Sequence, residues 1–213
     1  MTDITELILE LINDWYGIQL PLLSQFRNFS EEKFANLWTN VWFAKRQQQL
    51  VIDNYLDKYK PLFQVESPEN LLPENLMLQQ KILYNTGWMI LYDQVSRNIY
   101  RGSAKAYETD SKAYTYAQKV MEFWDILPTP IRVSIVLVYI HSEDINDLDK
   151  VQNLLNNLKD EMRSYNSVWT SLNGIATNHR DRMNLFGRIP ERNKFLNRTS
   201  SDKEITYMSS FGI

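Results

Sequence analysis

Apolar side chains recur every three to four residues along most of this chain, which is the spacing of one face of an α-helix. The clearest stripe comprises Ile4, Leu7, Ile8, Leu11, Ile12 and Trp15. Asp3, with Glu6 three residues later, predicts the start of this helix, and Gly17 predicts its end. Stretches that alternate between apolar and polar residues are few, so the pattern predicts an all-α fold.

Capping residues, glycines and prolines divide the rest of the chain into further helices. Ser30 predicts the start of the second one, and the pattern leaves open whether it ends near Ala44 or continues to Pro61. Residues 64–73 hold two prolines and no helical period, which predicts a surface connection. The remaining helices are predicted over residues 76–102, 110–124, 131–140, 144–162 and 167–185, with a short last one from Ser201. Together these make roughly eight to ten antiparallel helices.

Length and composition favour one domain. The chain has 213 residues, of which 44% are hydrophobic, and single cores are common up to roughly 250 residues. We therefore expect one all-helical domain over residues 1–213. The longest apolar run, residues 131–140, is interrupted by Arg132 and Ser134 and is shorter than the roughly 20 residues of a membrane span. The N-terminus does not have the residue order of a signal peptide, so a soluble protein is predicted.

The charge balance and the cysteine count exclude several classes of site. Lys and Arg number 23 against 26 Asp and Glu, a formal net charge of -3 that offers no long-range attraction to nucleic acid or anionic lipid. Neither nucleic acid nor a membrane is therefore predicted as a partner. The chain has no cysteine, which excludes disulfides, thiolate metal sites and cysteine nucleophiles, and favours a cytoplasmic location.

A dense set of polar residues, DQVSRNIYRG, ends the long predicted helix at residues 93–102. Asp93, Arg97 and Arg101 follow one another at intervals of four residues. Gln94 and Asn98 lie beside them on the same side of the helix. A solvated face with an Asp93–Arg97 ion pair would explain the same spacing. Because the neighbouring positions are apolar, we favour the interpretation that these residues belong to a site.

The two histidines of the chain each lie at a special place in the pattern. His141 opens the tetrapeptide HSED at the end of the most apolar helix, where Ser142 or Asp144 would also cap the next helix. The helix C-terminus and the neighbouring Glu143 and Asp144 predict that His141 is the more readily protonated of the two histidines. His179 lies on an apolar stripe, so desolvation should lower its pKa. Such a pair would supply one acid and one base near neutral pH.

An arginine-rich tract follows the second histidine. Residues 180–198 contain five Arg and one Lys against Asp181 and Glu191, a local net charge of +4 in an acidic protein. Arginine is preferred over lysine where a carboxylate or phosphate is bound through two parallel hydrogen bonds. A surface charge run is the alternative, but interleaved apolar residues such as Phe186 and Ile189 favour a loop that is fixed to the body of the protein.

We predict that these three segments meet in one pocket, which binds a small anionic ligand carrying phosphate or carboxylate. The candidate catalytic residues are His141, His179 and Glu143. The candidate ligand-binding residues are Asp93, Gln94, Arg97, Asn98, Arg101, Arg180, Arg188, Arg192 and Asn193. The sequence has neither the glycine motifs that bind nucleotides nor a nucleophile elbow, so no cofactor is predicted, and whether a reaction takes place stays open.

The same segments resemble an uncharacterised family known as domain of unknown function 924. The resemblance rests on the runs WYG at residues 15–17, WF at 42–43, DQ at 93–94, RNIYRG at 97–102, HSED at 141–144, HR at 179–180 and FGR at 186–188, with Pro190, Arg192 and Asn193. It extends from near residue 15 to near residue 198. The resemblance implies an all-α fold of tetratricopeptide-like hairpins, and it implies no known activity.

Two places in the chain depart from the pattern of this family. Glu191 occupies a position where the family usually has a histidine, so a mechanism that needs this third histidine could not operate here. Val95 and Ser96 replace an aromatic residue and a proline, which alters packing more than chemistry.

Two other functions remain open from the residues alone. In an interaction scaffold the same polar residues would only connect helices, and a concave helical face would bind a peptide. The third alternative is a divalent metal site with His141, Glu143, Asp144 and His179 as ligands. It is the weakest of the three, because its two histidines come from distant segments without a metal-binding spacing. The sequence does not indicate an oligomeric state.

Overall fold

The computed structural model describes residues 3–19, 22–27, 29–72 and 76–212, and within these ranges the chain forms helices and turns without a strand. The α-helices are α1 (Ile4–Tyr16), α2 (Glu31–Leu37), α3 (Arg46–Leu56), α4 (Leu78–Ile90), α5 (Ser96–Ile99), α6 (Asp110–Met121), α7 (Thr129–Ile140), α8 (Ile145–Leu158), α9 (Asn166–Phe186) and α10 (Asp202–Phe211). A π turn, Leu91–Val95, joins α4 to α5, so the described residues form nine continuous helices. The predicted all-α fold is confirmed.

Several helix ends are set by the local signals that the sequence contains. At the start of α1, Asp3 accepts a hydrogen bond from the Thr5 N–H at 2.8 Å. Gly17 ends the same helix in the left-handed conformation, with a φ of 58°. Ser201 and Glu204 form the predicted capping box at the start of α10. These ends depend on a few neighbouring residues and not on the tertiary fold.

The second helix ends near Ala44, which is one of the two ends that the sequence pattern allowed. α2 continues into a π turn, Trp38–Trp42, and the chain leaves the helix before α3 begins. Arg46 at the start of α3 has a positive φ of 56°. In the predicted surface connection, Pro68–Leu71 forms a short 3-10 helix, and Pro73 lies outside the described residues.

The apolar faces of the helices meet in one core. α7, the most apolar helix of the sequence, is buried along most of its length. α4 packs against α1 and α6, while α7 packs against α6 and α8. The tetratricopeptide-like arrangement of these helices stays a prediction. In the ranges that the structure describes, no helix is both long and apolar enough to cross a membrane.

The π turn Leu91–Val95 brings polar side chains into the interior. A π turn inserts an extra residue into a helix and is frequently found at functional sites. All five residues of this turn are buried, including Asp93 and Gln94. The polar end of the long predicted helix therefore faces the body of the protein and not solvent.

Gly87 allows α4 to approach α1 closely. A Cβ atom at Gly87 would lie 2.8 Å from Ile8 Cγ1 and 3.0 Å from the Ile8 carbonyl oxygen. Because the second of these contacts is with backbone, Gly87→Ala should lower the free energy of unfolding by about 1–3 kcal/mol. Urea unfolding measures this change.

Gly174 in α9 provides the matched control for this substitution. A Cβ atom there would meet nothing within 4 Å. Gly174→Ala should therefore leave stability unchanged or raise it by up to about 1 kcal/mol, because alanine favours the helix more than glycine does. Equal stabilities of the two variants would contradict the close contact between α1 and α4.

Candidate functional site

The Asp93 carboxylate is the buried centre of the polar residues. Its side chain is only 2% exposed, and Oδ1 lies 2.8 Å from His141 Nδ1 and 3.1 Å from a guanidinium nitrogen of Arg97. The side-chain amide of Gln94 donates a hydrogen bond to Oδ2. These contacts join the π turn to the C-terminal end of α7. Two of the three segments that were predicted to share a pocket are therefore in direct contact.

Asp93 stays ionised despite its burial. Burial raises the pKa of Asp93, but His141, Arg97 and Gln94 lower it by more, and the net pKa lies below its usual range. Arg97 is in turn held between two carboxylates, because Asp110 of α6 lies 2.9 Å from its guanidinium group. Arg97 also donates to the Asp93 carbonyl oxygen at 2.6 Å. The charge of Arg97 is thus balanced by protein groups.

His141 and His179 lie side by side, with ring centres 6.0 Å apart. His179 Nδ1 donates to the carbonyl oxygen of Ile175, one turn earlier in α9, at 3.0 Å. Burial lowers the pKa of His179 to about 3. Burial also lowers the pKa of His141, although Asp93 opposes this effect. The sequence predicted one acid and one base near neutral pH, whereas burial lowers the pKa of both rings, because the end of α7 that carries His141 is buried as well.

Arg192 is less closely paired than Arg97. Its side chain is 8% exposed, and one of its N–H groups donates to the carbonyl oxygen of His141 at 2.9 Å. The carboxylates of Glu143 and Asp110 lie 3.8 and 4.0 Å from the same nitrogen, near the outer limit of an ion pair. Burial lowers the pKa of Arg192, and the nearby charge of Arg97 lowers it further. The positive charge of Arg192 is therefore only weakly balanced by the protein.

A cavity of about 400 Å³ opens beside the two histidines, and we call it the basic cavity. Its polar and charged lining includes Arg97, Arg101, Arg182, Arg192, His141, His179 and Glu191. Arg101 is bound by Asp53 of α3 at 3.0 Å. Arg182 is bound by Glu191 at 2.5 Å. Four arginines thus converge on one small volume, and Arg192 is the one without a close carboxylate among the described residues.

A second cavity, of about 470 Å³, adjoins the first, and we call it the acidic cavity. Tyr107, His141 and Arg192 line both cavities and so lie between them. The carboxylates that line the acidic cavity are those of Asp93, Asp110, Glu143, Asp144 and Asp147. His141 therefore lies between a cavity whose charged lining residues are mainly arginines and a cavity whose charged lining residues are mainly carboxylates.

Three predicted ligand-binding residues of the arginine-rich tract lie outside the lining of both cavities. Arg188 forms two hydrogen bonds to Glu204 of α10, at 2.7 and 2.8 Å, and Asn193 also donates to Glu204. Arg180 pairs with Asp149 of α8 at 3.0 Å. These residues attach helices to one another. They do not share the pocket that the sequence predicted for them, because an arginine-rich tract does not reveal which way each arginine points.

Glu143 was predicted as a catalytic residue, and its contacts favour a positioning role. Its carboxylate accepts a hydrogen bond from the Ile189 N–H at 3.0 Å and two more from the guanidinium group of Arg198. These bonds fix the loop that carries Arg192. Glu143 also lines the acidic cavity, but its oxygens are already used by the protein.

Gln94 and Asn98 were predicted to bind ligand, and both are buried within the polar network. Asn98 donates to the Gln94 carbonyl oxygen at 3.0 Å and accepts a hydrogen bond from Arg101 at 2.8 Å. Gln94 is bound to Asp93. Neither residue lines either cavity, so they act by holding Asp93 and Arg101 in position.

Arg182 and Tyr107 are residues of the basic cavity that sequence reasoning missed. Arg182 follows His179 by three residues and shares its side of α9, a signal that the sequence did contain. The ring of Tyr107 contacts the guanidinium groups of Arg97 and Arg192, whose centres lie 5.6 and 5.2 Å from the ring centre. Tyr107 lies in the connection between α5 and α6, where no periodicity marks it as a site residue.

The four side chains considered for a metal site do not converge. In the part of the chain that the structure describes, no three His, Asp or Glu side chains are grouped in a way that could hold a metal ion. Asp144 caps α8, where it accepts a hydrogen bond from the Asn146 N–H at 2.8 Å. His141 presents Nδ1 to Asp93. His141 and Asp144 therefore form hydrogen bonds with protein groups.

Glu204 attaches α10 in a pH-dependent way. Hydrogen bonds from Arg188, with others from Ser201 and Asn193, lower the pKa of Glu204 from 4.5 to about 2. Because the pKa is lower in the folded state, the stabilisation is complete above about pH 4.5 and is lost as the pH falls towards 2. Glu204→Gln should therefore lower Tm at neutral pH and differ less from the wild type near about pH 3. Thermal melts across this range test the expectation, and a constant difference at every pH would contradict it.

Both imidazoles should be neutral at neutral pH, with the proton on Nδ1. Nitrogen-15 correlation spectra of the rings should show an unprotonated Nε2 in each. His179 should remain in this state down to about pH 3, whereas an exposed imidazole titrates near about 6.5. A His179 ring that titrates at the value of an exposed histidine would show that the burial and the Ile175 contact described above are wrong.

The fold and the sequence both have relatives among known proteins. A solved structure of a protein of unknown function from Agrobacterium tumefaciens is similar over 98% of this chain and 99% of that chain, with a TM-score of 0.64 and 21% sequence identity. This similarity shows a shared fold. No curated protein matches the chain. The profile of the family described as "Bacterial protein of unknown function (DUF924)" matches residues 26–212, and the chain belongs to this family.

Proposed function

We propose that the basic cavity binds a small anionic ligand with a phosphate or carboxylate group. The environment of Arg192 is the observation that supports this most directly. Among the described residues, its buried guanidinium group has one hydrogen bond, to a carbonyl oxygen, and no carboxylate closer than 3.8 Å. Glu143 and Asp110, at 3.8 and 4.0 Å, and the ring of Tyr107 compensate this buried charge only in part. An anion in the cavity would supply the missing partner through charge-assisted hydrogen bonds.

The other arginines favour the same sign of ligand charge. Four arginines line the cavity, against Glu191 as the one carboxylate among its described lining residues. The carboxylates that bind Arg97 and Arg101 lie outside this lining. A ligand would therefore meet positive groups at short range and most of the negative groups at longer range. Coulomb interactions at a partly buried site are stronger than in bulk water, so this difference favours an anion.

The size of the cavity favours a small molecule. Its volume of about 400 Å³ lies towards the lower end of the range for ligand pockets, roughly 300–1,000 Å³. A metabolite with one phosphate or carboxylate group suits this volume. A peptide, in contrast, usually binds along an extended groove or a sheet edge.

A catalytic role is a second candidate, and the Asp93–His141 pair favours it. The carboxylate holds Nδ1 of the ring at 2.8 Å, which leaves Nε2 to accept a proton from a bound ligand. A carboxylate orients an imidazole base in the same way in serine hydrolases. The pKa of His141, which burial lowers, keeps the ring in the neutral form that a general base requires. Such a base would act on a proton of the bound anion.

A scaffold would use the polar residues only to connect helices. The bonds between Arg188 and Glu204, and between Glu143 and Arg198, fit this description. Arg192 does not fit it as well, because its charge exceeds what its protein partners balance. The two functions therefore differ in what they predict for Arg192.

Thermal stabilisation by inorganic phosphate tests the proposed function. At a phosphate concentration of about one hundred times Kd, binding should stabilise the wild type by about 2.7 kcal/mol and raise Tm by roughly 5–11 °C. Arg192→Gln should lose most of this rise, because the cavity loses its least balanced cation. Arg180→Gln is the matched control: it removes an arginine that pairs with Asp149 away from the cavities, so it should keep the full rise.

Sodium chloride at equal ionic strength separates specific binding from general salt effects. No rise in Tm for the wild type beyond that in sodium chloride would refute the anion site. An equal phosphate effect in the wild type and both variants would also refute it. A scaffold predicts that Arg192→Gln changes Tm without phosphate and that phosphate has no specific effect on any of the three proteins.

A further inference from the structure

The hydrogen-bond partners of the two histidines determine where each ring carries its proton. A carbonyl oxygen can only accept, so the 3.0 Å contact between His179 Nδ1 and Ile175 requires a hydrogen on Nδ1. The ionised Asp93 carboxylate requires the same of His141 Nδ1 at 2.8 Å. In a neutral ring the other nitrogen, Nε2, then has a free lone pair and accepts hydrogen bonds.

Both Nε2 atoms are available to a ligand. Neither has a hydrogen-bond partner in the described part of the chain, and neither is enclosed away from solvent. Both rings line the basic cavity, with their centres 6.0 Å apart. Burial lowers the pKa of His141 and His179 and so keeps the rings neutral. His179 lines the basic cavity only, whereas His141 lines both cavities, so we assign Nε2 of His179 as the acceptor beside the arginines of the basic cavity.

A site that combines arginine charge with a hydrogen-bond acceptor is complementary neither to a simple anion nor to an amine. A fully ionised phosphate or carboxylate has only acceptors, so it can bind the arginines but cannot donate to Nε2. An ammonium group can donate to Nε2, but the weakly balanced charge of Arg192 repels it. A hydroxyl group donates a hydrogen bond without carrying charge. An anion that also bears a hydroxyl group thus complements both kinds of lining group.

We propose that the ligand is a hydroxylated anion, whose charged group binds Arg192 and whose hydroxyl group donates to Nε2 of His179. This inference rests on the proposed anion site and narrows its substrate class. A hydroxy acid and the phosphate ester of a small diol share the required chemistry and differ in the charged group. His179 has no carboxylate behind its ring, in contrast to His141, so its role is to recognise the hydroxyl group.

Two pairs of probes that differ by one hydroxyl group test this inference. Lactate is compared with propionate, and 2-hydroxyethyl phosphate with ethyl phosphate, by calorimetry on the wild type. In at least one pair the hydroxylated member should bind about tenfold more tightly, which corresponds to about 1.4 kcal/mol. The pair that shows the preference identifies the charged group as a carboxylate or a phosphate.

Substitutions of His179 connect the preference to its ring. His179→Phe removes the acceptor and keeps an aromatic ring, so it should abolish the preference while the probe without the hydroxyl group still binds. His179→Gln has an amide oxygen that can accept a hydrogen bond, so it should keep part of the preference. Thermal melts of both variants verify that they are folded.

The outcomes separate this inference from the function on which it rests. If none of the four probes binds the wild type and inorganic phosphate does not raise its Tm, the anion site is refuted and the inference with it. If phosphate raises the Tm and none of the four probes binds, only the inference is refuted. If the two members of each pair bind equally well, the hydroxyl group is not recognised and the anion site stands. A preference that is unchanged in His179→Phe would overturn the assignment to His179. The comparison on the wild type decides on the hydroxyl group even where a variant does not fold.

Discussion

The buried charge of Asp93 is the constraint on which the centre of this fold depends. A carboxylate in a protein interior is costly unless opposite charge and hydrogen bonds compensate it. Arg97 supplies the charge, while His141 and Gln94 supply hydrogen bonds. Arg97 also binds Asp110, so that α5, α6 and α7 are tied together at one point. Loss of any of these partners would leave a buried polar group uncompensated. The fold therefore determines where Arg97 and His141 lie in the site.

The helices could be predicted from the sequence because their ends depend on nearby residues. Asp3 and Gly17 at α1, and the capping box of Ser201 at α10, act within one turn of the chain. The π turn Leu91–Val95 could not be predicted in the same way, because an inserted residue leaves no mark in residue type. Its effect is large, because it buries Asp93. The polar residues of this segment therefore do not form the solvated face that their spacing also allowed.

The candidate site was predictable only in part, since its remaining features depend on long-range contacts. Which arginines face the basic cavity depends on the path of the loop after Gly187, and Glu143 fixes that path through the Ile189 N–H. Arg188 instead donates a hydrogen bond to Glu204, sixteen residues later in the chain. The pKa of His141 likewise depends on its burial, which the helix C-terminus and the adjacent acidic residues did not reveal.

A polar centre can bind a ligand only where the protein leaves hydrogen-bonding capacity or charge unused. Asp93 and Arg97 have none to spare, because their partners are other residues of the network. Glu191 pairs with Arg182 and so lowers the net charge of the basic cavity. Arg192 has no carboxylate this close. In the basic cavity the protein only weakly balances the charge of Arg192, and Nε2 of each ring has no hydrogen-bond partner within the described chain. Residue types alone cannot distinguish these groups from the others, because arginine and histidine serve in both roles. Their contacts do, and they favour a ligand that is both anionic and able to donate a hydrogen bond.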